Sequence, residues 1–213
     1  MITIERIAPI ARQEHKIRIV LSDDTEIRTL DYVAADLGLF PGQELDAEAL
    51  QRLKAAAGKA SAKERAVRII SASGVSRQEL ERRLIQKGEA SDHAREAVDW
   101  LDDLQLLDDR KTAEQLVASA VRKGYGKARI RQILYEKRIP QEYWEEALAD
   151  LPDMGDAVDN FLQKRFCGRE PDQKERKRAV DALVRRGYSW QEIQQGLERY
   201  GLQREAQWEE DYE

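Results

Sequence analysis

The chain has 213 residues, of which 36% are charged, and its formal net charge is -5 at pH 7. Its mean hydropathy of -0.72 and its short apolar runs argue against a membrane span, which needs about 20 apolar residues in succession. The N-terminal residues alternate between polar and apolar, so we expect no signal peptide. The single cysteine, Cys167, excludes an internal disulfide and favours a reducing compartment. We therefore expect a cytoplasmic protein with no membrane partner.

The N-terminal quarter of the sequence has the pattern of a small α+β module. Residues 1–30 alternate between apolar and polar, and the polar turn Ser22–Asp24 interrupts the alternation, which predicts a β-hairpin. Residues 31–53 carry leucines on both sides of a proline-glycine turn, which predicts two short helices. Ala55–Gly58 has the composition of a weak linker. The sequence therefore predicts an N-terminal module of residues 1–57.

From residue 61 onward the sequence repeats itself three times. The recurring positions are a glycine-containing turn and the apolar positions of the helix that follows it. They are Gly74, Val75, Ser76, Leu80 and Leu84, then Gly124, Tyr125, Gly126, Ile130 and Leu134, then Gly187, Tyr188, Ser189, Ile193 and Leu197. The spacing predicts three-helix repeats over residues 61–109, 110–152 and 153–213, the last with an acidic tail. Repeats of this length stack on their neighbours. We therefore predict a mostly α fold, in which three tandem three-helix repeats form an elongated curved array after the N-terminal module.

Three Ser-x-x-Glu sequences indicate where helices begin. Ser61, Ser76 and Ser189 each have a glutamate three residues later. In a capping box the serine oxygen and the glutamate carboxylate accept hydrogen bonds from backbone N–H groups that the first helical turn leaves unpaired. We therefore expect a helix to begin directly after each of these serines.

Opposite charges fall on different helices of the repeats. The predicted third helices, within 89–109 and 142–159, are acidic, whereas the first two helices of repeats two and three are basic. The basic residues that we take as candidates for binding DNA or an acidic protein groove are Arg122, Lys123, Lys127, Arg129, Arg131, Lys137, Arg138, Lys164, Arg165, Arg185 and Arg186. This segregation favours a binding role, although helices also carry basic residues on ordinary solvated faces.

One predicted helix flank combines cationic side chains with an aromatic ring. At about 100° per residue, Lys127, Arg131 and Tyr135 lie on the same flank. Arg138 is predicted to follow on that flank. A cationic flank that includes an aromatic residue suits a phosphate backbone or an acidic protein groove.

The sequence lacks the motifs of common catalytic and cofactor sites. It has no phosphate-binding glycine loop, no dinucleotide-binding motif, no paired cysteines and no nucleophile elbow. His15 and His93 have no cysteine or second histidine close by, so we expect no metal. The acidic pairs Asp102-Asp103 and Asp108-Asp109 point about 100° apart on a helix, which favours solvated charge over Mg²⁺ binding. We expect Cys167 to be chemically idle, no cofactor to be needed, and the protein not to be an enzyme.

The segment Val98–Ile139 resembles the central part of RecX regulatory proteins. Asp108-Asp109 with Ala113 matches that family's Asp-Asp-x-x-aromatic-Ala signature. Gly126–Lys137 matches its second-repeat helix, and Lys177–Ile193 resembles its closing repeat. The resemblance covers the chain from residue 61 onward. Each motif is weak alone, but three in the right order and spacing are specific.

The chain departs from the family pattern at Gln105 and Arg138, where glycine is usual, and at Thr112, where an aromatic residue is usual. Ser71–Ser73 replaces a stretch that is commonly basic, so we expect less nucleic-acid contact from the first repeat. The resemblance implies a monomeric regulator without catalytic residues that lies in the groove of the RecA filament. There it would bridge protomers, touch single-stranded DNA, and lower strand exchange and ATP hydrolysis.

Two other functions remain open at this point. An autonomous helix-turn-helix DNA-binding regulator fits the spacing around Ser76 and Ser189, although the helix after Ser189 is not basic and the net charge is negative. A nuclease or another phosphoryl-transfer enzyme is disfavoured because no acidic cluster converges. Our leading hypothesis is a non-enzymatic regulator that binds the RecA–single-stranded-DNA filament in its groove. Such a regulator would inhibit the RecA recombinase and ATPase activities and modulate DNA recombination and repair.

Overall fold

The computed structural model describes residues 1–202 of the chain. The chain divides into two compact units, the first covering Met1–Asp108 and the second beginning at Asp109. Most of the described chain is helical, as the repeat pattern predicts. The acidic tail, Glu205–Glu213, lies outside the described residues. The curvature of the repeat array stays a prediction.

The first residues of unit one form an antiparallel sheet with the strand order β3-β2-β1-β4. The strands are β1 (Ile2–Pro9), β2 (Lys16–Leu21), β3 (Glu26–Leu30) and β4 (Glu44–Leu45). The hairpin predicted around Ser22–Asp24 is confirmed as β2 and β3. The sheet is larger than predicted, because β1 pairs with the other edge of β2 and also with β4. Every second side chain of β2 is buried, which places one face of the sheet against the helices.

Helix α1 (Asp31–Asp36) follows β3, and helix α2 (Ala47–Ala72) follows β4. The linker prediction was wrong, because Ala55–Gly58 lies inside the unbroken helix α2. Alanine is the best helix former, and small side chains let other elements approach closely. A Cβ atom added to Gly58 would overlap the imidazole ring of His93. The small residues therefore let other elements pack closely against α2. The boundary predicted at residue 57 falls inside this helix.

Helix α2 contributes to two successive hydrophobic cores. Leu53 and Ala60 pack with the sheet, whereas Ala62 and Ala66 pack in the core of the first repeat. Ser61 lies between these two sets and does not start a helix, so the predicted cap there was wrong. Its hydroxyl instead donates a hydrogen bond to the Glu89 carboxylate at 2.9 Å.

The C-terminal half of α2 packs with α3 (Arg77–Gln86) and α4 (Ser91–Asp103) to form the first three-helix repeat. Helix α3 begins after Ser76, as predicted, and the Ser76 hydroxyl accepts a hydrogen bond from the Glu79 backbone N–H at 3.1 Å. The Glu79 carboxylate is buried. Hydrogen bonds from Arg82 and Arg83 hold its pKa at about 2, below the usual 4.5.

The second unit contains the other two repeats around one continuous core. Its helices are α5 (Asp109–Arg122), α6 (Lys127–Glu136), α7 (Trp144–Ala149, after a 3-10 turn over Gln141–Tyr143), α8 (Met154–Phe166), α9 (Gln173–Arg185) and α10 (Trp190–Arg199). The predicted capping box at Ser189 is confirmed. A second box, Asp172 with Glu175, starts α9. Helix α10 packs against α8 and α9.

The apolar positions that recur in the repeats are buried, as the periodicity predicts. Leu80 and Leu84 of the first repeat, Ile130 and Leu134 of the second, and Ile193 of the third are 0% exposed, and Leu197 is 7% exposed. The helical period therefore identifies the core-facing side of the second helix in each repeat.

Truncation of a core leucine should destabilise the second unit. Leu134→Ala removes a fully buried side chain, so we expect a loss of about 2–5 kcal/mol in the free energy of unfolding. Val184→Ala in α9 is the control, because Val184 is 37% exposed. Urea denaturation followed by circular dichroism measures both, and equal losses would contradict the burial of Leu134.

Candidate functional site

In the second unit, the turn between α5 and α6 lies against the turn between α9 and α10. The Gly126 backbone N–H donates a hydrogen bond to the Arg186 carbonyl oxygen at 2.8 Å, and the Ala128 N–H donates one to the Gly187 carbonyl oxygen at 3.2 Å. We call this arrangement, Gly124–Ala128 against Arg186–Tyr188, the turn contact. It joins equivalent turns of repeats two and three through backbone atoms.

Two glycines make this approach possible. A Cβ atom on Gly126 would lie 2.6 Å from the Tyr188 backbone nitrogen and closer still to the Gly187 carbonyl. A Cβ atom on Gly187 would lie 2.6 Å from the Arg129 Cβ, and Gly187 also has a φ of +87°, a conformation that other L-residues rarely adopt. Only residues without a side chain fit both positions.

Two side chains also bond across the turn contact. The Tyr188 hydroxyl donates a hydrogen bond to the Gly124 carbonyl oxygen at 3.0 Å, and burial raises the pKa of Tyr188. The Arg186 guanidinium donates to the same oxygen at 3.5 Å. It also lies 4.9 Å from the centre of the Phe161 ring, a favourable cation–π arrangement. The contact therefore connects α8 to the two turns.

The turn contact gathers basic residues from separate parts of the sequence. Arg122 ends α5 and Lys123 follows it, Lys127 and Arg129 lie in the first turn of α6, and Arg185 ends α9 with Arg186 as its C-cap. We call these six residues the basic turn cluster. Lys164 and Arg165 follow Phe161 by three and four residues on α8, which places them on the helix face that meets Arg186. Of these eight residues all are exposed except Arg129 and Arg186, which are half-buried.

The remaining candidate residues lie farther along α6. Arg131 is exposed on the flank that includes Lys127 and Tyr135. Arg129 lies on the opposite side of the helix and pairs with Glu136 at 3.2 Å. Lys137 is the C-cap of α6, at the end away from the turn contact.

Arg138 does not share the predicted flank, because α6 ends at Glu136 and Arg138 adopts a left-handed φ of 54°. Gln105 has a similar φ of 56°. These are the two positions at which the chain departs from glycine in the pattern described above. Glycine adopts this conformation without strain, so the structure gives a physical reason for that pattern.

The acidic helices are partly neutralised by bases of their own unit. Arg77 of α3 pairs with Asp99 and Asp102 of α4, and Arg110 of α5 pairs with Glu146 of α7. Surface pairs of this kind contribute little stability each. They do reduce the negative charge that α4 and α7 present to a partner, which the sequence pattern alone did not indicate.

The described residues contain no group of three His, Cys, Asp or Glu side chains that could hold a metal ion. His15 lies beside Asp31 at 3.1 Å, and Cys167 is exposed in the turn after α8. No described helix is both long enough and apolar enough to cross a membrane.

Two family models match the chain. One, RecX, first three-helix domain, matches residues 62–101. The other, RecX, second three-helix domain, matches residues 108–148. Both matched ranges coincide with repeats seen in the structure, which supports the placing of α3 and α6 as second helices of successive repeats.

Curated relatives with similar sequences carry the name regulatory protein RecX. The relative from Vibrio parahaemolyticus is 34% identical over 139 residues, which cover 64% of this chain and 90% of the relative. The relative from Chlorobaculum tepidum is 34% identical over 140 residues, covering 64% and 86% respectively.

Solved structures share the fold. A crystal structure of regulatory protein RecX matches 94% of this chain and 99% of its own with a TM-score of 0.61 at 19% identity. RecX from Lactobacillus salivarius matches 68% and 97% with a TM-score of 0.54 at 21% identity. The fold and the recurring turns define a helical-repeat protein, and the relatives that it matches are named regulatory proteins. The chain belongs to the RecX family.

The requirement for glycine at the turn contact gives a stability prediction. Gly187→Ala should cost about 1–3 kcal/mol beyond the strain of a left-handed alanine, because the new Cβ overlaps Arg129. Gly88→Ala is the matched control, since Gly88 has a φ of +92° and no atom within 4 Å of an added Cβ. It should cost only the strain, about 1–2 kcal/mol. Urea unfolding measures the free energy of unfolding of unit two for Gly187→Ala and of unit one for Gly88→Ala. Equal decreases in the two variants would mean that the two turns do not need this close approach.

Proposed function

We propose that this chain binds the RecA–single-stranded-DNA filament in its groove and inhibits the recombinase and ATPase activities of RecA. It would thereby modulate recombination and DNA repair in the bacterial cytoplasm. Membership of the RecX family, whose curated relatives are named regulatory proteins, supports a regulator. The basic turn cluster supports a polyanionic partner.

One observation supports the proposal most strongly: the turn contact holds basic residues of two repeats next to each other. Arg186 and Gly126 are bonded through their backbones at 2.8 Å, so the bases on either side of them act from one rigid support. Each cation that reaches a phosphate releases counterions. Contacts held on one support also add without a new loss of translational freedom. A chain with a net charge of -5 can therefore still present a local phosphate-binding surface.

Binding alone would account for inhibition. A repeat protein that lies in the filament groove and contacts neighbouring protomers favours one arrangement of those protomers over another. ATP turnover and strand exchange require the protomers to rearrange, so both slow when one arrangement is stabilised. This route needs no catalytic side chain and no cofactor, and one monomer per binding site is sufficient.

The alternative hypothesis, an autonomous helix-turn-helix DNA-binding regulator, has less support. The helices that would enter a DNA groove are α3 and α10. In α3 the bases Arg77, Arg82 and Arg83 contact carboxylates of the same unit. In α10, Arg199 pairs with Asp159 through two hydrogen bonds of 2.7 and 2.9 Å. Neither helix presents the cationic face that duplex recognition requires.

Neutralisation of the basic turn cluster should weaken inhibition. The triple variant Lys123→Ala, Lys127→Ala, Arg185→Ala removes three exposed cations and should raise the half-inhibitory concentration in a RecA ATPase assay about tenfold, or about 1.4 kcal/mol. The dependence of log K on log salt should become shallower by about 2, since each phosphate contact to a single strand contributes about 0.7.

The matched control is Arg52→Ala, Lys54→Ala, Lys87→Ala, which removes the same charge from exposed positions of unit one. It should inhibit like the unchanged chain. If the two triple variants inhibit equally, the basic turn cluster is an ordinary solvated surface, and the proposal loses its structural support.

A further inference from the structure

One flank of α6 carries an aromatic side chain that the fold does not use. Tyr135 is 72% exposed. A neighbouring side of the same helix carries Ile130 and Leu134, which are completely buried, so α6 is anchored without Tyr135. Full burial of an aromatic ring in a core contributes about 1.5–3 kcal/mol, and most of this contribution is missing at Tyr135.

The other aromatic residues of the second unit that the structure describes are engaged in packing. Tyr125, Tyr143, Trp144, Phe161, Phe166, Tyr188, Trp190 and Tyr200 all contribute to its core. Phe166 and Tyr200 also meet edge to face with ring centres 5.4 Å apart, and the Trp144 indole N–H donates to the Ile139 carbonyl oxygen at 2.9 Å. Tyr135 therefore differs in its surroundings from every other ring described in this unit.

Cations precede Tyr135 on its flank at intervals of one helical turn. Arg131 is four residues before Tyr135, and Lys127 is four residues before Arg131. Residues four apart on a helix have Cβ atoms about 5–6 Å apart. Both cations are exposed, and within the described part of the chain neither has an ion-pair partner. Lys127 also belongs to the basic turn cluster. The flank therefore runs from that cluster to an exposed aromatic ring.

We infer that Tyr135 is a stacking platform for an unpaired base of single-stranded nucleic acid, while Arg131 and Lys127 hold phosphates of the neighbouring nucleotides. Non-specific single-strand binding combines these two elements, a cationic track and aromatic rings on which bases stack. A double helix offers no open base face on its outside, so this flank selects single strands over duplexes. The inference rests on the proposed function and refines it, by assigning direct base contact to the second repeat.

The test compares an intact oligo-dT strand with a strand of the same length made of abasic sites, by fluorescence anisotropy at low salt. Tyr135→Ala should weaken binding of the intact strand about fivefold to a hundredfold, since one stacked base is worth about 1–3 kcal/mol. Binding of the abasic strand should not change. Tyr135→Trp keeps a ring and should bind the intact strand at least as well as the unchanged chain.

Salt titration separates stacking from charge. Arg131→Ala should flatten the dependence of log K on log salt by about 0.7, because it removes one phosphate contact. Tyr135→Ala should leave that slope unchanged, because stacking releases no counterions. Circular dichroism confirms that the variants are folded, and none of the substituted side chains is buried.

Three results would overturn the inference. Equal weakening on the intact and abasic strands would show that the ring supports the helix rather than a base. No binding of the intact strand by the unchanged chain, with RecA ATPase inhibition retained, would remove base contact and leave the proposed function standing. Weaker ATPase inhibition by Tyr135→Ala with unchanged strand binding would assign the flank to an acidic protein surface.

Discussion

Two tight turns of the second unit pack against each other through their backbones, and the placing of the candidate binding residues depends on that contact. Gly126 and Gly187 permit it because neither has a side chain, and Tyr188 and Arg186 close it with bonds to the Gly124 carbonyl. As a result the ends of α5 and α9 and the start of α6 are held together. Each of these helix termini carries basic residues, so the contact that stabilises the unit also concentrates its positive charge.

Concentrated positive charge costs the free protein stability, since like charges repel. The structure offsets part of that cost within the fold: the Arg186 guanidinium lies over the Phe161 ring, and Arg129 pairs with Glu136. The acidic helices have the complementary arrangement, because Arg77 and Arg110 pair with carboxylates of α4 and α7. A net charge of -5 therefore says little about any one surface of this chain. A phosphate-binding role for the second unit is compatible with an acidic protein, as the proposed regulation of RecA filaments requires.

Sequence patterns predicted the features that depend on local periodicity. The burial of Leu80, Ile130 and Ile193 follows from the helical period, and Ser189 starts a helix because its cap is a local interaction. The linker at Ala55–Gly58 was wrong because composition does not distinguish a flexible segment from a helix packed closely on both sides. Strand β4 has only two residues and no period to detect. The turn contact is tertiary: the recurring glycines were visible as a repeat, but no local rule indicates that Gly126 meets Gly187.

The central claim is that the basic turn cluster meets the filament, and lysine footprinting tests it most directly. The full chain is treated with an amine-acylating reagent, alone and with RecA assembled on single-stranded DNA, and the modified lysines are quantified by mass spectrometry. Lys123 and Lys127 should lose most of their reactivity in the presence of the filament, whereas Lys54 and Lys87, which are exposed in unit one, should keep theirs. Unchanged reactivity at Lys123 and Lys127 under conditions where the chain inhibits ATP hydrolysis would contradict the account.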